Sequence, residues 1–253
     1  MIGGELALAA HAKLNLALSV HGRLPDGRHT VSGVMQAVSL HDLLFARRAE
    51  GAALVVQGDA PAGSDNLVLR AQAALEAAVE RPLPAAFRLL KRIPPGAGLG
   101  GGSSDAAAAL QALVRLYELK VDLHPIAAEL GADVPFFLRG GSAEASGIGA
   151  DLRPAALATG WFAIAWPGYG VDTGSVYEAW DETGGAGPNQ LQTAAFRVEP
   201  RLKEFAAGLG TAWQMTGSGS AFFKQAPTRE EAESAIAGLD CWTAVASPVP
   251  AWG

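Results

Sequence analysis

The run Pro94-Pro95-Gly96-Ala97-Gly98-Leu99-Gly100-Gly101-Gly102-Ser103-Ser104 constrains this chain more than any other stretch. Five of the seven residues 96–102 are glycine. It follows the apolar, strand-like Ala85–Leu90 and runs into a helical pattern, with Leu110, Leu113, Val114 and Tyr117 at i, i+3, i+4 and i+7. Ser103 and Ser104 are the expected N-caps of that helix. Glycines let a backbone approach closely and adopt φ > 0. The free N–H groups and dipole of a helix start favour an anion, and the serine hydroxyls add donors. A flexible linker would be flanked by polar, disordered composition, whereas this loop joins two well-patterned elements. No Gly-Lys-Ser or Gly-Lys-Thr follows, so it is not a Walker A loop. It also lies late in the chain, with no acidic residue ending a following strand at the distance of a dinucleotide fingerprint.

The 253 residues suffice for a large core and for one or two domains. Apolar residues make up 49%, which marks a globular chain. The net charge of −6 argues against a nucleic-acid surface. Cys241 is the single cysteine, which excludes an internal disulfide and a Cys-rich metal site and suits a reducing, cytoplasmic setting. Neither a secretory-signal pattern nor an apolar run long enough for a membrane span is present, so no membrane association is expected. Nothing points to an obligate protein partner.

Along the chain, Leu6–Val20 reads as β structure, with Lys13 and Asn15 on the face opposite Leu14, Leu16 and Leu18. A turn-rich loop around Pro25-Asp26-Gly27 ends at His29. Thr30–Ala46 is extended, with a break expected at His41-Asp42, and Ala53–Gln57 is a short strand. Ser64 or Asp65 is expected to cap a helix to about Glu80. Pro125–Leu130 reads as a short helix before Gly131-Ala132-Asp133-Val134-Pro135. A carboxylate among apolar residues must be hydrogen-bonded, paired or functional; an Asp ahead of proline can equally be an N-cap or turn residue. Ser142–Ile148 and Trp161–Trp166 are strands, with a domain boundary at Pro154. Thr173, Val176 and Tyr177 lie near a helix start. Residues 213–225 read as strand, Gly217-Ser218-Gly219-Ser220, strand, where the glycines serve a close phosphate or a plain hairpin turn. A helix over Thr228–Leu239 and a strand over Cys241–Val245 follow. The tail Pro248–Gly253 is expected to be frayed.

Three separated stretches resemble the motifs of the GHMP small-molecule kinases, in order and spacing: Ala12-Lys13-Leu14-Asn15-Leu16, Pro94–Ser104 and Thr216-Gly217-Ser218-Gly219-Ser220-Ala221. Asp26-Gly27-Arg28-His29, Asp65-Asn66-Leu67-Val68, Gly131-Ala132-Asp133-Val134-Pro135 and Gly147-Ile148-Gly149 resemble the branch of that family that acts on a cytidine-diphosphate-linked alcohol. Similarity runs from about Leu8 to about Phe223.

The resemblance implies an α+β kinase of two domains. Residues 1–153 would form a ribosomal-protein-S5-domain-2-like unit with the glycine loop, and residues 154–253 a ferredoxin-like α+β unit. ATP, with Mg²⁺, would donate its γ-phosphoryl to the 2-hydroxyl of the methylerythritol part of a cytidine-diphosphate substrate, a step of non-mevalonate isoprenoid synthesis. Pro94, Pro95, Gly96, Ala97, Gly98, Leu99, Gly100, Gly101, Gly102, Ser103 and Ser104 would wrap the ATP phosphates. Asp133 would accept the hydroxyl proton beside Lys13, and Asn15 would bind substrate. His29 would read the cytosine edge and Tyr177 would stack on the ring, with Thr173 nearby. Arg28 stands where relatives often place an aromatic residue, so either the stacking is one-sided or the guanidinium plane of Arg28 replaces it. Asp105 has no firm role, its alternatives being to hold Mg²⁺ through water or to favour the helix N-terminus, and no direct protein ligand for the metal is evident. The rivals are another GHMP enzyme, of mevalonate or homoserine type, and a non-catalytic ligand-binding regulator on the same fold. The Asp-Gly-x-His loop argues against the first, and the joint presence of Lys13 and Asp133 against the second.

Overall fold

A computed structural model describes residues 4–252. The chain opens with two long antiparallel strands, β1 (Leu6–Arg23) and β2 (His29–Arg48), paired along almost their whole length. β3 (Ala53–Gln57), α1 (Leu67–Val79), β4 (Ala85–Leu90), α2 (Gly101–Tyr117), α3 (Leu123–Leu130), α4 (Val134–Arg139), β5 (Ser142–Ser146) and β6 (Asp151–Pro154) follow. The strands form a six-stranded mixed sheet in the order β3-β4-β2-β5-β6, with β1 on β2 and only β3–β4 parallel. β2 does not break at His41-Asp42. It bulges instead: Ala12 faces Val38 while His11 faces His41, so two residues of β2 are extra there. That bulge carries Asp42 to complete burial.

α2 packs on the sheet through a face of small residues. Ala106–Ala109 and Ala112 are all buried, which brings the helix backbone close to β1 and β2. Leu110, Leu113, Leu75, Phe136 and Phe137 fill the remaining space. The cap of α1 is Asn66, not Ser64 or Asp65. Its side chain accepts from the Val68 N–H at 2.9 Å and donates to the Pro61 carbonyl at 2.6 Å, so one amide satisfies both the helix start and the preceding loop.

The second sheet is built from β7 (Trp161–Trp166), β8 (Gln214–Met215), β9 (Phe222–Ala226) and β10 (Trp242–Ala246). Helices α5 (Thr173–Thr183), α6 (Gln192–Val198) and α7 (Arg201–Leu209) connect β7 to β8, and α8 (Arg229–Ile236) connects β9 to β10. The order β10-β7-β9-β8, antiparallel throughout with two β-α-β crossovers, is the ferredoxin-like arrangement. β7 is an interior strand, which explains its unbroken apolar run.

The tail is not frayed. Val38 pairs with Pro248 and Gly140 with Ala251, which returns the chain to the first sheet. Trp252 packs on the first core, 5.0 Å from the His11 ring, and lies over Gly140. Its burial is a tertiary contact that tail composition does not signal. Gly253 lies outside the described residues. Trp252→Ala is expected to lower unfolding stability by about 2 kcal/mol, as truncation of a half-buried aromatic does. Urea denaturation measures this, and an unchanged midpoint would show that the tail contributes no packing.

Candidate active site

The glycine loop is held from both sides by main-chain bonds. The Leu99 carbonyl accepts from Lys13 N–H at 2.9 Å, and the Ala97 carbonyl accepts from Ala221 N–H at 3.0 Å. β1 and the β8–β9 turn therefore meet on this loop. Gly98 (φ +76°) explains why: a Cβ there would lie 2.6 Å from the Thr216 carbonyl oxygen and 2.7 Å from that of Gly219. Backbone packs on backbone, and no other residue fits.

The helix start differs from the expected one. Ser103 and Ser104 do not cap α2; they lie within its first turn, and the N-cap is Gly100 (φ +72°) with no side-chain cap bond. A Cβ on residue 100 would sit 2.7 Å from Phe137 Cζ and 3.0 Å from Lys13 Cγ, so glycine is required at the position where the helix begins. With no side chain folded over it, the N-terminus of α2 keeps the first-turn amides of Gly101, Gly102 and Ser103 available to an anion. Ser104 is buried and its N–H is taken by the Gly100 carbonyl, so it supports the turn from below.

Beneath the loop lies a buried cluster. Lys91 Nζ donates to Asp42 at 2.5 Å and to Asp105 at 2.7 Å. Asp42 Oδ1 also accepts from the Arg92 and Ile93 N–H groups, at 2.5 and 2.9 Å. The cluster ties the β2 bulge, the end of β4 and α2 together at the base of the loop. Two carboxylates share one cation. Burial pushes the Asp105 carboxyl up to about 7; Lys91 opposes this and Asp42 adds to it. Burial also acts to lower the Lys91 ammonium, but attraction to Asp105 and Asp42 outweighs it and the net direction is up.

Two cavities adjoin at Gly98, Gly100 and Ser103. The smaller, of ≈ 350 Å³, is lined by the whole run Pro94–Ser103 together with Asn66 and Lys91. The larger, of ≈ 690 Å³, brings together Lys13, Asn15, Arg28, His29, Asp133, Thr173 and Tyr177. Every expected site residue thus lines one of the two, except Ser104.

In the larger cleft, Lys13 Nζ stands 3.5 Å from Asp133 Oδ2 and donates to Asn15 Oδ1. The Lys13 side chain is only 5% exposed, whereas that of Asp133 is 36% exposed. Asp133 occupies the N-cap position of α4 but makes no cap bond, so its carboxylate is left to the cleft. The Asn15 N–H donates to Thr216 Oγ1 at 2.9 Å, and Thr173 Oγ and Ser218 Oγ are 2.8 Å apart. Thr216 and Ser218 belong to the third motif, where the resemblance gave no individual roles.

At the far end, the His29 ring is buried. It stacks on Tyr177 (5.1 Å, 25°) and meets Trp180 edge-on (5.8 Å, 84°). Its Nε2 lies 2.7 Å from Asp181 Oδ1. Burial, with the nearby Asp133 charge adding to it, pushes the Tyr177 hydroxyl up to about 12, so it stays protonated. Arg28 is exposed and clamped by Asp26, through Nε at 2.9 Å and Nη2 at 2.6 Å. Among the described residues no group of three or more His, Cys, Asp or Glu side chains is placed to hold a metal ion, and no helix is long and apolar enough to cross a membrane.

The GHMP kinases N terminal domain matches residues 66–141, from the cap of α1 to the turn after α4. A protein of Thermus thermophilus named 4-diphosphocytidyl-2-C-methyl-D-erythritol kinase is 42% identical over 257 residues, covering 92% of each chain. The chain belongs to this kinase family. A second member, from Polaromonas naphthalenivorans, is 37% identical over 86% of this chain and 84% of its own. The crystal structure of a 4-(cytidine 5'-diphospho)-2C-methyl-D-erythritol kinase superposes with a TM-score of 0.79 at 39% identity, covering 96% of this chain and 99% of the other. Homoserine kinase from Cytophaga hutchinsonii shares the fold, with a TM-score of 0.70 at 18% identity over 98% and 96% of the two chains. The chain is therefore a kinase of the GHMP fold.

The buried cluster gives a pH-dependent expectation. Asp105 has its pKa raised on folding, so the protonated form stabilises the fold and that contribution is lost as pH rises through about 7. Asp105→Asn cannot ionise and still accepts from Lys91. The melting temperature of Asp105→Asn relative to wild type is expected to rise between pH 5 and pH 8. An equal difference at both pH values would show that Asp105 ionises in the ordinary carboxylate range.

Proposed function

We propose that the chain transfers the γ-phosphoryl group of ATP to the 2-hydroxyl of 4-diphosphocytidyl-2-C-methyl-D-erythritol, in the non-mevalonate route to isoprenoid precursors. The observation that carries the reading is the Lys13–Asp133 pair, set in a cleft that joins the glycine loop at one end to His29 and Tyr177 at the other. ATP sits in the smaller cavity, with its phosphates on the first-turn amides of α2. The acceptor hydroxyl lies at Asp133 and the cytidine at His29. The ligands thus bind between a domain of residues 1–153 and one of residues 154–253.

Phosphoryl transfer asks the protein for positioning and charge neutralisation. The hydroxyl oxygen attacks the γ-phosphorus, the bond to the ADP oxygen breaks, and the hydroxyl proton passes to the Asp133 carboxylate. Tyr177 stays neutral beside it and does not compete as a base. Lys13 stands against the Asp133 carboxylate before the transfer and offsets charge on the transferring group during it. A buried ammonium needs a partner throughout; Asn15 holds Lys13 while it is shared between carboxylate and phosphate. Arg28, fixed by Asp26, offers its guanidinium plane to the cytidine. Mg²⁺ would be carried by the nucleotide and would supply neutralisation of charge on its phosphates. ATP supply and the lone Cys241 suit a reaction in the cytoplasm.

The direct test is phosphorylation of 4-diphosphocytidyl-2-C-methyl-D-erythritol by ATP, with mevalonate and homoserine as controls. Turnover of the cytidine compound alone is expected, and preference for either control would move the chain to another branch of the fold. Asp133→Asn keeps the shape and loses the basicity. Its kcat is expected to fall by about 10² to 10⁴, with both KM values near those of wild type. Near-native kcat would reduce Asp133 to a substrate-positioning group.

A further inference from the structure

Asp181 lies on the last turn of α5, more than 150 residues from His29, and no motif marks it. Its Oδ1 is 2.7 Å from His29 Nε2 and its Oδ2 is 3.4 Å from Arg23 Nη1. Arg23 also donates from Nε to the Gly27 carbonyl at 3.2 Å, so the carboxylate is tied to the loop that leads into His29 at the start of β2. The His29 side chain is 3% exposed, stacked on Tyr177 and in T-shaped contact with Trp180. Its Nδ1 has no hydrogen-bond partner among the described residues, while the residue lines the larger cleft.

We infer that Asp181 sets the base preference of this cleft by fixing the His29 tautomer, with the proton on Nε2 and the lone pair on Nδ1. The inference rests on the cytidine reading given above. An ionised carboxylate only accepts hydrogen bonds, so the ring nitrogen against it is the one that carries hydrogen. In the neutral ring the other nitrogen is then an acceptor. Cytosine presents an exocyclic amino donor where uracil presents a carbonyl acceptor. A lone pair on Nδ1 complements the first and repels the second. The opposite tautomer would reverse the preference with no movement of the ring. Asp181 touches neither the base nor the reacting atoms, and it is a positioning residue.

The test has a spectroscopic arm and a kinetic arm, both on the full chain. Long-range ¹H–¹⁵N correlation at pH 8 reports which His29 nitrogen is protonated, and for the wild type it should show Nε2–H alone. Protonated Nδ1, in the neutral ring or in the imidazolium, would overturn the inference whether or not any variant folds. In the kinetic arm, kcat/KM is measured for cytidine- and uridine-linked substrates. Asp181→Asn, whose carboxamide offers donor and acceptor alike, should narrow the cytidine-to-uridine ratio by about tenfold, the scale of one mispaired buried group, through KM more than kcat. Asp181→Glu, which keeps an acceptor-only group, should recover part of the ratio. An unchanged ratio in Asp181→Asn, with the wild-type enzyme discriminating, would overturn the inference and leave the cytidine reading standing. Equal use of both bases by the wild type would overturn both.

Discussion

The contact between the glycine loop and its two neighbours is the constraint on which the rest of the structure depends. Two main-chain hydrogen bonds, from Lys13 N–H to Leu99 and from Ala221 N–H to Ala97, draw β1 of the first sheet and the β8–β9 turn of the second onto one segment. A Cβ at residue 98 would meet two carbonyl oxygens under 3.0 Å away, so the seam exists only because glycine stands there. The cleft follows from it. The same bonds that close the seam put Lys13 beside the helix start, and the Thr216 hydroxyl that accepts from Asn15 N–H holds the next residues of β1 against the second sheet.

Two buried lysines show how one interaction type serves different ends. A desolvated ammonium must be paired. Lys91 is paired with Asp42 and Asp105, both essentially inaccessible, and with its partners it ties three elements together below the loop. Lys13 is equally buried, but its carboxylate partner Asp133 is more than one-third exposed to the cleft. The second pair faces the larger cleft, whereas Lys91 and Asp105 border the smaller one.

The features legible in the sequence were those carried by short contiguous patterns. The strand–glycine loop–helix run announced the uncapped start of α2, and the three motifs announced the kinase fold. Strands with clean alternation or unbroken apolar runs, such as Ala53–Gln57 and Trp161–Trp166, fall where the pattern places them. What escaped depends on tertiary contact. Serine is a better cap than glycine by local preference, yet crowding by Phe137 and Lys13 decides in favour of Gly100. The docked tail depends on Gly140 leaving room for Trp252. Asp42 looked like a break because a charged residue interrupts an apolar strand; the bulge buries it where two N–H groups and an ammonium await it. Asp181 is one acidic residue on a helix, and its meaning comes only from the histidine that the fold brings to it.

The central claim is that phosphates bound at the start of α2 and an acceptor hydroxyl at Asp133 meet in one cleft. A crystal structure of the chain with a non-hydrolysable ATP analogue and 4-diphosphocytidyl-2-C-methyl-D-erythritol tests it most directly. The account predicts phosphate oxygens on the amides of Gly101–Ser103, the γ-phosphate beside Lys13 Nζ, and the 2-hydroxyl within about 3 Å of the Asp133 carboxylate. Phosphates bound away from the glycine loop, or a hydroxyl held beyond reach of Asp133 with both ligands in place, would contradict it.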